Sequence, residues 1–536
     1  MTNHNLPGPI PTRFPASQPG NPDSTTIQPE PVQHWDVVIA GAGPAGLACA
    51  RTISEQHPDL QVLLLEAGRP YKRRPCPVDK GFSCTGCAGI CNVVSGFGGS
   101  MHYGDGAKLS LLPSGRRLID HFGADTAQDL CTTAYTWLTE PLATAPELLG
   151  QNLTDRAIEA FDANALAIRE YPVAVLGEST LGRVIEGFHA HLAARVTIRH
   201  TAELTAAEPD GTGLLLTVRT GRTHQHLSAG HLVLATGRRG VTSTTALLRS
   251  LGVATELPDI SVGVRFEMAA PLLAPIGEEH PDLKITQLDA GARKVKTFCF
   301  CGGSNGGRIK FTNYEGAFGE PVITLDGHET TERPKPADGR ELAANFGLLC
   351  QAVGRGNALQ ARDSFLATYR ELTGARPFTQ TLGAFLDRRP DSSGWPELAA
   401  ALPFQPSVAD LTCGRVDQLF TDDEHASLTA GLRRLLASIL DHAGHPATVD
   451  ALANQVLVVG PELEFLWDKP AIDHTCRVPG LPVYVIGDSA GIAQGIVQAA
   501  MMGIAAGHDI TRRRTLPAIP TQTNTSWSTG RAGGRP

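Results

Sequence analysis

The chain has 536 residues, enough for two or three lobes and a large core, and its net charge of −8 leaves no basic face for nucleic acid. No uninterrupted apolar run reaches the roughly 20 residues of a membrane span, and the N-terminus lacks the basic start and apolar stretch of a signal peptide. A cytoplasmic protein acting on a small molecule is the default expectation, and composition leaves its oligomeric state open.

Residues 1–34 are rich in Pro, Ser, Thr, Asn and Gln without apolar periodicity, so a disordered leader is expected. The stretch Trp35-Asp-Val-Val-Ile-Ala-Gly-Ala-Gly-Pro-Ala-Gly46 then reads as a buried parallel strand running into a glycine turn and a helix. Gly41 permits the tight turn, Gly43 lets backbone approach a pyrophosphate, and Gly46 lets helix pack on strand. Pro44 and Ala45 occupy the first helical turn, where proline's missing N–H costs nothing and the free N–H groups favour an anion. A second strand, Val62 to Leu65, ends in Glu66, a carboxylate suited to both ribose hydroxyls of an adenosine. Strand, glycines, helix and acid together predict a dinucleotide site.

The sequence has 11 cysteines. Cys76, Cys84, Cys87 and Cys91 fall close together, and their spacing allows zinc, an iron–sulfur cluster, a redox disulfide or packed thiols. No metal is assigned, because the spacing matches no common ligand pattern. They precede Gly96-Phe-Gly-Gly-Ser100, whose Gly98, Gly99 and Ser100 are expected beside a cofactor ring. His102 and Tyr103 follow as candidate proton donors, against the plainer reading of structural hydrogen-bonding residues.

Residues 116–177 form a helical insertion. The nucleotide domain is expected to be discontinuous, from residues 35–115, 178–259 and 455–512. Its second piece holds a helix over Leu181–Ala193, strands at Val196–Arg199, Leu214–Val218 and His226–Ser228, and a return strand from His231 ending in Ala235-Thr-Gly237. Residues 260–454 are the expected substrate domain. It has strands at Ser261–Met268, Val295–Phe300 and Arg308–Phe311, and helical periodicity over Leu342–Val353 and His425–Leu440. Cys299 and Cys301 form a second close thiol pair and are candidate catalytic groups. Lys108 and Arg265 could orient an anionic substrate or the pyrophosphate, or equally serve in a surface or ion-pair role.

The third piece carries Val483-Tyr-Val-Ile-Gly-Asp-Ser-Ala-Gly491, a strand ending in Gly487-Asp488. A small-residue helix from Ala490 to Gly507, containing Gly495 and Ile496, is expected next. In flavoproteins a terminal Gly-Asp sits by the ribityl chain, and the following helix N-terminus faces the flavin edge where negative charge collects on reduction. The two separated stretches therefore predict FAD within an α/β, Rossmann-like domain carrying an inserted α+β substrate domain. Residues 513–536 read as a disordered tail.

Further motifs carry a resemblance: Cys91-Asn-Val-Val-Ser-Gly-Phe-Gly-Gly-Ser100, Gly104-Asp-Gly-Ala-Lys-Leu109, Ala235-Thr-Gly-Arg-Arg-Gly240, Val262-Gly-Val-Arg-Phe-Glu267 and Thr297-Phe-Cys-Phe-Cys-Gly-Gly303. With the two glycine stretches, they resemble the FAD-dependent dehydrogenases of largely unassigned substrate, distantly akin to geranylgeranyl-reductase-type flavoproteins. The resemblance implies two-electron dehydrogenation or reduction of a small organic substrate. Two loops depart from the family pattern, Tyr103–Leu109 by one extra residue and Cys299–Gly303 by a missing Pro, so no substrate carries over. No second G-x-G-x-x-G follows a strand, and NAD(P)H is expected only as a transient electron donor. Flavin monooxygenase and a non-catalytic FAD–cysteine sensor are the alternatives.

Overall fold

The computed structural model describes residues 32–515 apart from 81–83, 85, 86, 88, 89, 104, 258, 259, 290, 292, 465–467 and 493. In chain order its first half contains β1 (Gln33–Ala40), α1 (Pro44–Gln56), β2 (Val62–Glu66), β3 (Ala107–Ser110), α2 (Arg116–Phe122), α3 (Ala124–Thr139), α4 (Asp155–Asp162) and β4 (Val173–Leu176). α5 (Glu178–Ala193), β5 (Thr197–His200), β6 (Ala202–Asp210), β7 (Gly213–Thr220) and β8 (Thr223–Leu234) complete it. Later elements are named by their residues. Most of the expected leader and tail lies outside the described residues. The chain is already in β1 at Gln33, and its last helix continues to Thr515.

Val37, Val38 and Ile39 have no exposed surface, because β1 is a central strand flanked in parallel by β2 and β8. β5 extends the parallel sheet beyond β2, and Val483–Val485 pairs in parallel with the end of β8. β6, β7 and the first part of β8 form an antiparallel excursion from the same seven-stranded sheet. β6 was not anticipated, and the two strands expected at His226–Ser228 and His231 are one continuous β8. This lobe is a Rossmann-like α/β fold. Glu66, Ala235–Gly237 and Gly487–Asp488 all follow the carboxyl ends of parallel strands, where such sheets bind ligands.

The second lobe is built on an eight-stranded sheet around Ser261–Ala269, which pairs antiparallel with Glu341–Gln351 and Leu457–Glu464. Two expectations fail here. Residues 342–353 are not helical: Glu341–Gln351 is a central strand buried on both faces, and a short, mostly apolar run fits either periodicity. Leu457–Glu464 belongs to this sheet and not to the nucleotide domain, so the boundary at 455 falls too early. The expected helix around His425–Leu440 extends over Asp422–Ala443, started by a capping box of Thr421 and Glu424 and ended at Gly444.

Residues 116–177 are not a separate insertion. Leu118, Leu130 and Ala134 from α2 and α3 join the nucleotide-lobe core, whereas Phe161 of α4 joins the other. The expected helix at Ala490 begins only at Ile496, because Gly487, Gly491 and Gly495 adopt φ of 67°, 67° and 127°. Such angles interrupt a right-handed helix and suit glycine.

Helix Ile496–Thr515 packs on α1 so closely that a Cβ added at Gly503 would stand 2.1 Å from the Ala45 carbonyl oxygen. Gly503→Ala should therefore destabilise the protein by about 1–3 kcal/mol, outweighing the roughly 1 kcal/mol that alanine gains in helix propensity. Equilibrium urea unfolding checks this: the midpoint should fall with an unchanged slope, and a raised midpoint would contradict the packing.

Candidate functional site

The first glycine motif builds an anion-ready end. Gly43 is the N-cap of α1, no side chain caps the helix, and Pro44 is its first residue, so the leading N–H groups face outward at the positive end of the helix dipole. A Cβ on Gly43 would meet nothing nearer than Gly99 Cα at 3.9 Å; the protein itself leaves this space empty. Gly41 and Gly46 serve packing instead, since a Cβ would lie 2.1 Å from the Ala235 oxygen and 1.9 Å from the Gly41 oxygen, respectively.

Glu66 is 5% exposed, and its carboxylate accepts from three backbone N–H groups: Ala42 (2.9 Å) on Oε2, Gly68 (2.7 Å) and Gly96 (2.8 Å) on Oε1. A carboxylate offers about four acceptor sites. Glu66 thus organises the glycine turns and keeps capacity for one ribose hydroxyl, fewer than the two expected.

One cavity of about 610 Å³ runs between the lobes and is lined by Gly41, Gly43, Pro44, Ala45, Glu66, Gly99, Ser100, Ala235, Thr236, Gly237, Gly487, Asp488, Gly495 and Ile496. Its size lies within the roughly 300–1,000 Å³ of small-molecule and cofactor sites. Gly46 and Gly98 lie behind this lining; the Gly98 N–H donates to the Ala42 carbonyl at 2.9 Å. Residues more than 400 positions apart in the sequence therefore face one space.

Asp488 stands on a short turn at the end of Val483–Val485. Arg238 reaches toward it (3.9 Å) while donating to both oxygens of Asp326 (2.7 and 2.6 Å), and all three side chains line the cavity. Burial pushes the Asp488 carboxyl up to about 6, with Arg238 opposing and Asp326 adding to the rise. Asp326 was missed from sequence. It sits inside the strand Ile323–Glu329, where it is only 6% exposed, and nothing in that mixed sequence marks it.

The candidate donors are distributed differently from expectation. His102 is not on the cavity wall; burial, with Arg74 and Lys310, lowers its ring to about 4, so it is neutral at ordinary pH. The Tyr103 side chain lies outside the described residues. Cys299 does line the cavity, in a left-handed conformation (φ 43°) with its carbonyl held by Arg265 at 3.0 Å. Cys301 lies behind it, 3.8 Å from Lys108 Nζ. Burial pushes the Cys299 thiol up to about 11 and Cys301 to about 12, so neither is a ready thiolate. Arg265 has no exposed side-chain surface and pairs with Glu462 at 3.0 Å; it positions Cys299 and cannot reach a ligand.

Lys108 lines the cavity, donating to the Phe300 carbonyl and lying 3.7 Å from Glu329. Burial pushes Glu329 up to about 7 against the pull of Lys108. On the same lobe-facing wall Asp282 accepts from Ser110 (2.9 Å) and Tyr171 (2.8 Å) and pairs with Lys284 at 3.1 Å. None of the 11 cysteines forms a disulfide. Cys76 and Cys91 are buried with Val93, and Cys84 packs against the cluster containing Ile309 and Phe311. Burial pushes Cys91 up to about 11, with Cys87 and Cys84 within electrostatic reach. Among the described residues no group of three or more His, Cys, Asp or Glu could hold a metal ion.

Residues 30–69 match the Thi4 family. A thiamine thiazole synthase from Coprinopsis cinerea is 58% identical over 33 residues, 6% of this chain and 10% of that protein. The family match covers the strand–turn–helix–strand unit that ends at Glu66. Among solved structures, an anhydrotetracycline hydroxylase from Streptomyces rimosus aligns over 90% of this chain and 63% of its own length at 13% identity, with a TM-score of 0.35. Pyridoxine 4-oxidase from Mesorbium loti aligns over 89% of this chain and 99% of its own at 14% identity, with a TM-score of 0.41.

The raised Asp488 carboxyl makes a signed prediction. An acid moved from 3.8 to about 6 favours folding only while protonated, so that contribution is present at low pH and is lost as pH rises through the folded value. In ligand-free protein, Asp488→Asn should therefore gain stability relative to the unsubstituted chain between about pH 4.5 and about pH 7.5. Urea midpoints at the two pH values read the difference, and a constant difference would contradict the assignment.

Proposed function

We propose that the chain is an FAD-dependent oxidoreductase acting on a small organic substrate by two-electron dehydrogenation or reduction. The observation that carries this reading is the single cavity lined by both separated glycine motifs. The residues fit the cofactor. The uncapped start of α1 and the open space at Gly43 suit a pyrophosphate. Glu66 retains one acceptor site for a ribose hydroxyl, and Asp488 suits the ribityl hydroxyls. The start of helix Ile496–Thr515 presents a second positive end to the cavity. Bound there, FAD would supply the two-electron acceptor or donor.

The chain's own groups handle orientation and protons. Lys108, with burial opposed by Cys301, Glu329 and Asp282, stays charged and offers an ammonium to a substrate oxygen. Glu329, titrating near neutrality behind it, can hold or return the proton that accompanies dehydrogenation. NAD(P)H remains the proposed transient donor where the reaction runs as a reduction.

Gly43 has an extended φ of −81°, which valine tolerates, and its Cβ has room in the ligand-free protein. Gly43→Val should thus leave the unfolding midpoint of ligand-free protein essentially unchanged while yielding colourless preparations. Stoichiometric flavin in that variant would overturn the cofactor assignment. The reaction class is read separately under ¹⁸O₂ with a converted substrate: unlabelled product is expected, and label in the product would establish oxygen insertion instead.

A further inference from the structure

The chain carries a net charge of −8, yet one wall of its cavity is strongly basic. Arg116 and Arg117 come from α2, Arg169 from the segment between α4 and β4, Lys284 from the segment before Thr286–Leu288, and Lys294 and Lys296 from strand Lys294–Cys301; all six line the cavity. The carboxylates on this wall are already engaged: Asp282 pairs with Lys284, and Glu464 with Lys296. Among the described residues, Arg116, Arg117, Arg169 and Lys294 have no carboxylate within ion-pair distance.

The ordinary alternative is a solvated surface, where like charges spread apart and are screened over about 8 Å. Arg116, Arg117, Arg169 and Lys294 are exposed at the cavity mouth, yet they are gathered on one wall. They arrive from separate chain segments, and Lys294 is pushed down by burial and by Lys296, Arg117 and Arg169, with Glu464 opposing. Gathering unpaired like charges costs free energy, which a bound counter-charge recovers, and a cavity with low-dielectric walls focuses their field. This wall is formed by α2 and the second lobe's sheet. It is continuous with the start of helix Ile496–Thr515, because Gln498 Nε2 donates to the carbonyls of Ser110 (2.8 Å) and Ser114 (3.1 Å), just ahead of Arg116.

Resting on the oxidoreductase reading, we propose that the substrate carries an oxyanion, a carboxylate or a phosphate, held by Arg117, Arg169 and Lys294. Guanidinium groups suit either anion because their fork of donors matches two oxygens at once.

The test uses the purified holoprotein with benzoate, inorganic phosphate and neutral benzamide as probes. Binding is read by titration calorimetry, and flavin content is measured in parallel. At least one anion should bind where benzamide does not; which of the two binds distinguishes a carboxylate from a phosphate substrate. Lys294→Glu and Arg169→Glu, both at exposed side chains, should each weaken anion binding by about tenfold or more without altering flavin content. Absence of anion binding, equal binding of benzamide, or unchanged affinity in both variants would overturn the proposal. So would slowed NADPH-driven reduction with benzoate affinity intact, which would assign the wall to a nicotinamide phosphate. Charge-dependent anion binding in protein lacking flavin would instead defeat the cofactor reading and leave the anion wall standing.

Discussion

The contact between α1 and helix Ile496–Thr515 is the constraint on which the site depends. Gly503 meets the Ala45 carbonyl and Gly507 meets Thr52, with no room for a Cβ at either position. This close approach brings the two ends of the described chain together and sets Pro44 and Ile496 on the wall of the same cavity. Two positive helix ends converging on one space favour a ligand rich in negative charge. Small residues, often read as weak packing, here fix the geometry.

Charge then joins the lobes. Arg238, at the end of β8, holds Asp326 of the second lobe and approaches Asp488 of the first. One cation serves two acids, and burial, with Asp326 adding and Arg238 opposing, is why Asp488 titrates high. Arg265 works differently. Its pairing with Glu462 is wholly buried, and removing one partner of such a pair costs about 3–5 kcal/mol. That network, through Arg265, holds the Cys299 carbonyl at the cavity edge, the ion-pair role that the sequence left open beside anion binding.

Much of the nucleotide lobe was legible in the sequence because its signals are local. The strand Val37–Ile39, the glycine spacing and the terminal Glu66 each follow from backbone requirements within a few residues. The second lobe was less legible. Glu341–Gln351 is buried on both faces, and its helical appearance could be settled only by the neighbouring strands Ser261–Ala269 and Lys294–Cys301. The start of the last helix was misplaced because alanine-rich composition masked the positive-φ glycines at 491 and 495. Cation convergence at Arg117, Arg169 and Lys294 is a tertiary property with no sequence signature, since the three residues lie on unrelated segments. His102 drew attention by adjacency to the glycine cluster, yet it does not line the cavity.

The central claim is that one dinucleotide spans the cavity from Gly43 to Asp488. The most direct measurement is chromatographic identification of the ligand released when the native protein is denatured. The account predicts FAD in stoichiometric amount, because the Gly43–Glu66 end is built for the adenosine and pyrophosphate half and the Asp488–Ile496 end for the other. Release of FMN alone, or a flavin-free protein that does not take up added FAD, would contradict it.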